Sequence, residues 1–359
     1  MFDRILMAAA MTAALGAASP SIAQDVPTDP AKVWSYLNSL APTERMDVIE
    51  REARREGKLV IYAAMGTDRA RVFLDMFEKR YPGIDVEFNR MSTSELPQKL
   101  MLEYRTGRST ADVAMTSSEW LGVLSEALGP YVPTSWNDLH PKFRHGGIEQ
   151  GWAAADHDSL IEVIGWRTDR VSADEAPKSL DELSDPKWHG RVGTTRAREQ
   201  FVDAYIARYG RDEAMAKIDR LAALDNRIFP SIAGLAEALG AGEIDVAWGV
   251  SGTRVARLKA AGAPVDFVLQ SPAMTLNETI AVTRLASHPY AAALLMEFLL
   301  DPATMEASDK IEPGRLFGNT KGTYTIPATV FEDLTIYRSI PQDEFRDLNR
   351  IVEQKFIRR

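Results

Sequence analysis

The sequence predicts an α/β fold with doubly wound sheets, in which helices cover both faces of mostly parallel strands. The first observation is a complete strand–helix–strand unit over residues 57–89, GKLVIYAAMGTDRARVFLDMFEKRYPGIDVEFN. The second is that the same alternation recurs from residue 111 and again from residue 192. Sheets of this kind bind ligands in the loops at the carboxyl ends of their strands. A functional site is therefore expected in those loops.

The first unit carries its own start and stop signals. Residues 59–63 form an apolar run short enough for a buried parallel strand, and residues 66–68 provide a helix start. Pro82 and Gly83 end that helix, and apolar and polar residues then alternate over 84–88 as a second strand. A right-handed crossover makes the two strands parallel. The apolar face of the helix consists of Val72, Phe73, Met76, Phe77 and Tyr81.

Length and composition restrict the class of protein. The chain has 359 residues, of which 45% are hydrophobic, and this is enough for two domains with separate cores. Its net charge of −9, with acidic and basic residues mixed along the chain, argues against a broad basic surface for nucleic acid. The lack of cysteine excludes disulfides, thiol catalysis and cysteine-ligated metals.

The first 23 residues have the pattern of a secretory signal peptide. Arg4 precedes an apolar run over residues 5–18, and residues 21–23 (Ser-Ile-Ala) form a small-x-small cleavage site. The run is shorter than the roughly 20 residues that span a bilayer, which favours export with cleavage after Ala23 over an anchor helix. In a bacterium, the mature protein would then be free in the periplasm.

Residues 24–55 are expected to form a helical extension that precedes the first strand. Val33, Tyr36, Leu37 and Leu40 make one apolar face. The segment TERMDVIEREARREG that follows is strongly charged, so we expect its helix on the outside of the fold. No later apolar run is long enough to span a membrane.

Three successive loops of the first region begin with small or hydroxyl-bearing residues. They are residues 64–67 (Ala-Met-Gly-Thr), 92–94 (Ser-Thr-Ser) and 116–118 (Thr-Ser-Ser). Hydroxyls and free amides at helix N-termini suit an oxygen-rich or anionic ligand. Ordinary N-capping explains each loop by itself, but three such loops at one sheet edge favour a binding rim.

A second region repeats the alternation of strands and helices. A strand at Val192 leads through residues 194–196 (Thr-Thr-Arg) into a helix. The stretch PSIAGLAEALGAGEIDVAWG then predicts a helix, a glycine stop and a strand over 244–248. A further strand is predicted over 279–282, and from residue 328 onward the chain is expected to wrap the outside as helices.

Several stretches, taken in order, carry a resemblance to a known family. They are the signal peptide, EGKLVIYAAMG, FEKRYPGIDVEF, TGRSTADVAMTSS, APKSLDELSDPKWHGRV, LGAGEIDVAWG and HPYAAALLMEFLLDPATMEA. With these motifs the chain resembles a type II periplasmic solute-binding protein of an ABC importer, in the branch that contains ferric-iron-binding proteins. The resemblance covers residues 56–308, and the order of the motifs is more specific than any one of them.

This resemblance implies two α/β domains joined by crossing strands, with the ligand held in the cleft between them and closure by a hinge motion. The first domain would be discontinuous, made of residues 56–155 and 276–359, and the second would be residues 156–275. The residues that the resemblance assigns to the cleft are Ala64, Met65, Gly66, Ser92, Thr93, Thr116, Ser117, Thr194, Thr195, Arg196, Ser231, Trp248 or Ser251, and, near the hinge, Asn277.

The sequence departs from the ferric-binding pattern in its tyrosines. Ferric-binding proteins resemble one another in using two consecutive tyrosines as ligands, and no Tyr-Tyr pair occurs here. Because phenolate oxygens suit Fe(III), the main metal signal is missing. His157 and Asp158 are potential ligands, but such a pair on a loop more often belongs to an ordinary polar surface. We therefore predict no metal site and keep Fe(III) import as the alternative.

Arg196 is the first candidate for binding an anion. It follows two threonines at a predicted helix start, where a carboxylate or phosphate would meet both the guanidinium and the helix dipole. An exposed salt bridge explains it equally well, and Arg90 and Arg167 are weaker candidates. Trp248 offers a ring for stacking, although a tryptophan that ends a buried strand more often belongs to the core. The predicted ligand is a small organic anion.

Two other classes of function stay open. A secreted enzyme would need a catalytic group assembled only in three dimensions, because the chain has no G-x-S-x-G, H-E-x-x-H or P-loop motif. A receptor partner that senses a ligand without feeding a transporter would have the same fold. We predict a monomeric, non-enzymatic binding protein without a cofactor, which docks on a membrane permease and binds no nucleic acid.

Overall fold

The computed structural model describes residues 26–338 and 340–357 of the chain. The predicted signal peptide, residues 1–23, lies outside them. Within the described part, none of the helices is both long enough and apolar enough to cross a membrane.

The strands of the described residues form one connected, mixed sheet. They are β1 (Lys58–Ala63), β2 (Asp85–Arg90), β3 (Val113–Ser117), β4 (Arg144–Gly147), β5 (Trp152–Arg167), β6 (Val192–Thr195), β7 (Arg227–Phe229), β8 (Val246–Ser251), β9 (Val265–Leu269), β10 (Ala273–Val282), β11 (Leu316–Phe317) and β12 (Leu334–Ile336).

Helices alternate with these strands along most of the chain. They are α1 (Pro30–Ser39), α2 (Pro42–Glu56), α3 (Thr67–Arg80), α4 (Glu95–Arg105), α5 (Leu121–Leu124), α6 (Leu180–Leu183), α7 (Glu199–Tyr209), α8 (Arg211–Ala222), α9 (Ile232–Ala241), α10 (Gly252–Ala260), α11 (Pro289–Leu300), α12 (Pro302–Ile311) and α13 (Gln342–Val352). Short 3-10 turns connect several of them.

The first half of the sheet has the strand order β2–β1–β3–β10. Strands β2, β1 and β3 are parallel, and β10 runs antiparallel to β3. Alternate residues of β1 enter different apolar clusters: Leu59 and Ile61 face one cluster, and Val60 and Tyr62 face the other. Because both faces of this half are covered, the predicted doubly wound arrangement is confirmed.

The second half of the sheet has the strand order β5–β8–β6–β7. Strands β8, β6 and β7 are parallel, whereas β5 is antiparallel to β8 and also pairs with β9. Trp248 and Val246 face one apolar cluster, and Ala247 and Val250 face the other. Gly242 ends α9 in the left-handed conformation, with φ of +77°, which is the glycine stop that the sequence predicts before β8.

Strands β5 and β10 connect the two halves. They pair with each other in antiparallel register from Thr275 opposite Ile161 to Ile280 opposite Ala155, with an irregularity between Glu278 and Thr279. The 16 residues of β5 are long enough to pair first with β4 and β10 and then with β8 and β9. These two strands are therefore the crossing connection between the two halves.

The largest apolar cluster surrounds α11, all twelve residues of which are buried. Helix α2 packs against it through Val48, Ile49 and Ala53. This explains how a helix so rich in charge packs on the core: its apolar stripe faces α11. Arg45 and Glu52 of the same helix are also buried, and Arg45 donates to the backbone carbonyls of Val132 and Leu40.

The C-terminal segment packs on the second half of the sheet. Leu348, Val352 and Phe356 belong to the same buried cluster as Phe201 and Trp248. The sequence assigned this segment to the first domain, as part of residues 276–359, and that division into domains stays a prediction.

Candidate functional site

A cavity of about 960 Å³ lies where the two halves of the sheet meet. The loops after β1, β6, β7 and β8 open into it, as do the middle parts of β5 and β10. Its volume is in the range that small-molecule sites occupy. The carboxyl ends of parallel strands from both halves thus face one space, as expected for a sheet of this class.

Six of the residues predicted for the cleft line this cavity, and eight do not. The six are Ala64, Met65, Gly66, Thr195, Ser231 and Ser251. The eight outside its lining are Ser92, Thr93, Thr116, Ser117, Thr194, Arg196, Trp248 and Asn277.

Several of those eight side chains hold the structure together. Oγ1 of Thr194 donates to the carbonyl of Trp248 at 3.1 Å, and the fully buried indole of Trp248 donates to Asn226 at 2.9 Å. Asn277 is also fully buried, and its side-chain amide donates to Asp156 at 2.5 Å. The donor groups of these three side chains are therefore occupied within the protein, whereas Oδ1 of Asn277 is buried without a hydrogen-bond partner among the described residues.

Ser92 takes part in a helix start, as its spacing from Glu95 predicts. Its Oγ accepts a hydrogen bond from the backbone N–H of Glu95 at 3.1 Å, and the Glu95 carboxylate lies 3.5 Å from the N–H of Ser92. This reciprocal arrangement is that of a capping box. The loop after β2 therefore serves α4.

The N-termini of several helices line the cavity. The N-terminal turns of α3, α7 and α10 line it, and none of them has a side-chain cap. Helix α9 also begins there, with Oγ of Ser231 accepting from the N–H of Gly234 at 3.1 Å. Asp68 and Glu199 already place negative charge in the first turns of α3 and α7. The first turn of α10 has no acidic residue, so this helix N-terminus favours an anionic ligand group.

Arg198 is a cavity residue that the sequence interpretation missed. Its side chain is only 3% exposed, and Nη1 donates to both oxygens of Glu162 at 3.2 Å. Nη2 donates to Oγ1 of Thr195 at 2.6 Å, and the guanidinium lies over the ring of Trp248, 5.5 Å from its centroid. Arg196, the predicted anion ligand, is exposed and lies outside the lining.

Arg254 is a second cationic residue of the cavity wall. It lies in the first turn of α10, its side chain is exposed, and no ion pair or hydrogen bond of its side chain is found among the described residues. Unlike Arg198, it is therefore available to a solute without breaking an existing contact.

A network of buried ion pairs forms the wall on the side of the first half. Arg69 donates to Glu278 at 2.8 Å and also pairs with Asp158. Arg315 donates to Glu312 at 2.9 Å and lies 3.6 Å from Asp158. Although burial raises the pKa of Asp158, the two arginines outweigh it and hold that pKa well below its usual range.

The same network explains an unusual arginine. Burial, together with the charge of Arg69, lowers the pKa of Arg315 to about 10. Arg257 of α10 reaches across to Glu312, so one carboxylate connects the second half of the sheet to this wall. These charges are largely matched inside the protein.

His157 and Asp158 lie inside strand β5, and not on a loop as the sequence suggested. His157 is 4% exposed, and burial lowers its pKa. In the described ranges, no group of three or more His, Cys, Asp or Glu residues is placed to hold a metal ion.

Apolar side chains make up the rest of the cavity surface. Leu160 and Leu276 come from the crossing strands, and Trp120 follows β3. At the mouth, Ile232 and Phe345 expose 38% and 43% of their surface. Exposed apolar side chains in the wall of a cavity that also has charged groups suit an organic solute that covers them.

Comparison with known proteins gives one family and a set of similar folds. A family model described as bacterial extracellular solute-binding protein matches residues 73–314. Comparison with curated protein sequences finds no match.

Three solved structures illustrate the similarity of fold. Iron-bound HitA from Pseudomonas aeruginosa has a TM-score of 0.63 and 20% identity, over 82% of this chain and 99% of HitA. The substrate-binding protein of an ABC transporter from Agrobacterium tumefaciens has a TM-score of 0.62 and 17% identity, over 84% of this chain and 95% of that protein. AfuA from Actinobacillus pleuropneumoniae, with fructose-6-phosphate bound, has a TM-score of 0.57 and 18% identity, over 84% of this chain and 99% of AfuA.

Proposed function

Since the chain belongs to the family of bacterial extracellular solute-binding proteins, we propose that it captures a small organic anion in the cavity between its two halves and delivers it to an ABC permease. Proteins of this family are binding components of transport and not enzymes, so the prediction of a non-enzymatic protein is confirmed.

One observation carries the proposed ligand class. The N-terminus of α10 lines the cavity with neither a side-chain cap nor an acidic residue in its first turn, and Arg254 of that turn has no partner among the described residues. Free N–H groups, helix dipoles and a free guanidinium all favour negative charge. The apolar rim at Ile232 and Phe345 favours an anion with an organic body.

Capture would involve closure of the two halves around the solute. Residues 56–155 and the part of 276–359 that packs on them would move as one domain. Residues 156–275 would move as the other, together with the C-terminal segment that packs on them, and β5 and β10 would be the hinge. A solute that contacts both walls stabilises the closed form and shifts the population toward it. The permease would recognise that form. We further propose that the protein is exported with cleavage after Ala23 and works as a monomer in the periplasm.

Fe(III) is the alternative ligand, and iron-bound HitA has a similar fold. Tyr337 lines the cavity here, but burial and the neighbouring carboxylate of Glu162 raise its pKa well above the usual value. A raised pKa opposes the phenolate form that coordinates Fe(III). This favours the organic anion.

A thermal-shift screen tests the proposal. The mature chain from Gln24 onward, unfolded and refolded to remove bound solute, would be mixed with carboxylates, phosphorylated compounds, sugars, polyamines, and Fe(III) with a carrier anion. A ligand at a hundredfold excess over its Kd stabilises the native protein by about 2.7 kcal/mol. We expect this stabilisation with an organic anion.

Two arginine variants locate the site. Arg254→Gln removes an exposed charge from the cavity, and Arg196→Gln removes an exposed charge just outside it, so the second is the matched control. We expect the first to weaken anion binding on the order of tenfold and the second to leave it unchanged. Stabilisation only by Fe(III), or equal effects of the two variants, would contradict the proposal.

A further inference from the structure

Glu119 is a carboxylate in the wall of the cavity. It follows β3, in the 3-10 turn Ser118–Trp120, and its side chain is half-buried. Oε1 accepts a hydrogen bond from Oγ of Ser117 at 3.2 Å, and Oε2 lies 3.5 Å from the side-chain nitrogen of Gln200 on α7. Neither of these partners carries a charge.

The other acidic residues of the cavity have a local explanation. Asp68 and Glu199 lie in the first turns of α3 and α7, where the helix dipole favours negative charge. Three more are paired with arginine: Glu162 with Arg198, Glu278 with Arg69, and Glu312 with Arg315. Within residues 26–338 and 340–357, no lysine, arginine or histidine forms an ion pair with Glu119.

A half-buried carboxylate without a counter-charge depends on the water that still reaches it. Burial already raises the pKa of Glu119 above its usual value. If the walls close on a solute and displace that water, the unpaired charge becomes more unfavourable. The solute must then provide a hydrogen-bond donor, and a cationic donor compensates a carboxylate best.

The neighbouring side chain favours the same kind of group. Trp120 follows Glu119 and also lines the cavity. Indole rings attract cations as well as apolar groups. The free guanidinium of Arg254 and the uncapped helix N-termini line the same cavity, so it offers complementary sites for both signs of charge.

We propose that Glu119 is a subsite for a protonated amine, and that the solute is a small zwitterion with an amine and an anionic group. The ammonium group donates to the Glu119 carboxylate, and the anionic group faces the helix N-termini and Arg254. This inference rests on the proposed function and narrows its ligand class. Simple carboxylates and sugar phosphates would each leave the Glu119 charge unpaired on closure.

The test uses pairs of probes that differ only in the amine. They are 4-aminobutyrate and butyrate, 2-aminoethylphosphonate and ethylphosphonate, and phenylalanine and 3-phenylpropionate. Calorimetric titration of the refolded mature protein gives a Kd for each. We expect at least one amine-bearing probe to bind tenfold or more tightly than its partner.

Two variants show whether that preference comes from Glu119. Glu119→Gln keeps the size of the side chain and its hydrogen bond from Ser117, and we expect it to remove most of the preference without lowering the melting temperature of the empty protein. Glu126→Gln makes the same charge change at an exposed position outside the cavity, and we expect it to preserve the preference for the amine-bearing probe.

Each remaining outcome overturns the inference. Equal affinity within every pair would show that the amine is not recognised, and a preference that survives Glu119→Gln would place its recognition elsewhere. Failure of all three amine-bearing probes to bind would exclude the zwitterion. In each of these cases the proposed function is tested separately. It is retained if anions without an amine bind to the protein and if Arg254→Gln weakens that binding.

Discussion

Nε2 of His145 lies 2.8 Å from Oδ2 of Asp156, a carboxylate that is fully buried between the crossing strands. The same carboxylate accepts hydrogen bonds from Asn277 and Thr279 of β10. The strand pairing shifts register between Glu278 and Thr279, beside this cluster. A single histidine from β4 thus completes the polar contacts of the connection between the two halves.

The contact between His145 and Asp156 should make stability depend on pH. Burial lowers the pKa of His145, but the charge of Asp156 outweighs it, so the pKa in the folded protein is raised. A raised folded pKa gives stability that is fully present below the unfolded value of about 6.5 and is lost as pH rises through the folded value. We expect His145→Gln to lose about 1 kcal/mol at pH 6 and less at pH 9.

Urea unfolding of the natural protein and of His145→Gln from pH 6 to 9 measures this difference in stability. His189 is exposed, so His189→Gln is the matched control and should change stability little at any pH. A constant difference between His145→Gln and the natural protein from pH 6 to 9 would show that the ring is not protonated in the contact.

Glu56 predicts a second pH effect in a different place. Its carboxylate accepts from the N–H groups of Tyr290 and Ala291 at the start of α11, yet burial raises its pKa to about 7. With an unperturbed value of 4.5, stability is greatest at low pH and falls as pH rises from 4.5 through 7. Glu56→Gln should lack this fall and should be relatively more stable at pH 8, by roughly 1 kcal/mol or more.

Melting curves at pH 5 and pH 8 distinguish this from a general effect of removing a charge. Glu149 is exposed, and Glu149→Gln removes a charge without touching a helix start. An equal loss of stability by Glu56→Gln at both pH values would contradict the prediction. It would mean that the hydrogen bonds from α11 to the Glu56 carboxylate outweigh the cost of burying its charge.

The buried pair of Arg198 and Glu162 should behave as one unit. Their side chains are 3% and 12% exposed, so removing the cation leaves a carboxylate in a poorly hydrated place. We expect Arg198→Met to destabilise the protein by about 3–5 kcal/mol. The double variant Arg198→Met with Glu162→Gln should recover a large part of that loss, because no charge is left unpaired.

A double-mutant cycle in urea measures this coupling. The two single variants and the double variant give an interaction energy, which should be clearly different from zero. Additive losses would indicate that Arg198 acts through its contacts with Thr195 and Trp248 and not through the carboxylate.

The strands of the fold could be predicted where their pattern is local. The sequence gives residues 59–63 for β1, observed as Lys58–Ala63, because an apolar run between turn residues has few alternatives. It misses the first half of β5, where Asp156, His157 and Asp158 are buried. Their partners on α3, β4 and β10 are distant in the chain, and no local pattern can show that a charged stretch will be paired and buried.

The site could be predicted as far as its loops but not its side chains. Strand ends indicate which loops meet, and the loops after β1, β6, β7 and β8 line the cavity, but the loop after β2, which was expected at the same rim, does not. A single residue separates Arg196 from Arg198, but Arg196 is exposed and Arg198 is buried against Glu162. Which of them turns inward depends on where α7 begins and on a carboxylate 36 residues away.

Gly252 and Gly314 approach so closely that neither position has room for a side chain. A Cβ on Gly252 would lie 2.7 Å from the carbonyl oxygen of Gly314, and a Cβ on Gly314 would lie 2.6 Å from the carbonyl carbon of Gly252. Both obstacles are backbone atoms, which cannot rotate away as a side chain can. The contact joins the first turn of α10 to the segment that carries Glu312 and Arg315, and both line the cavity.

We expect Gly252→Ala to separate α10 from that segment, lowering stability by roughly 1–3 kcal/mol and weakening solute binding. Gly122→Ala is the control, since a Cβ there meets no atom within 4 Å, and it should be neutral. Melting temperatures and the Kd of a solute found in the screen measure the two effects. A loss of stability with unchanged affinity would mean that the cavity wall adjusts to the new side chain. The contact between Gly252 and Gly314 would then not be needed to position Arg254.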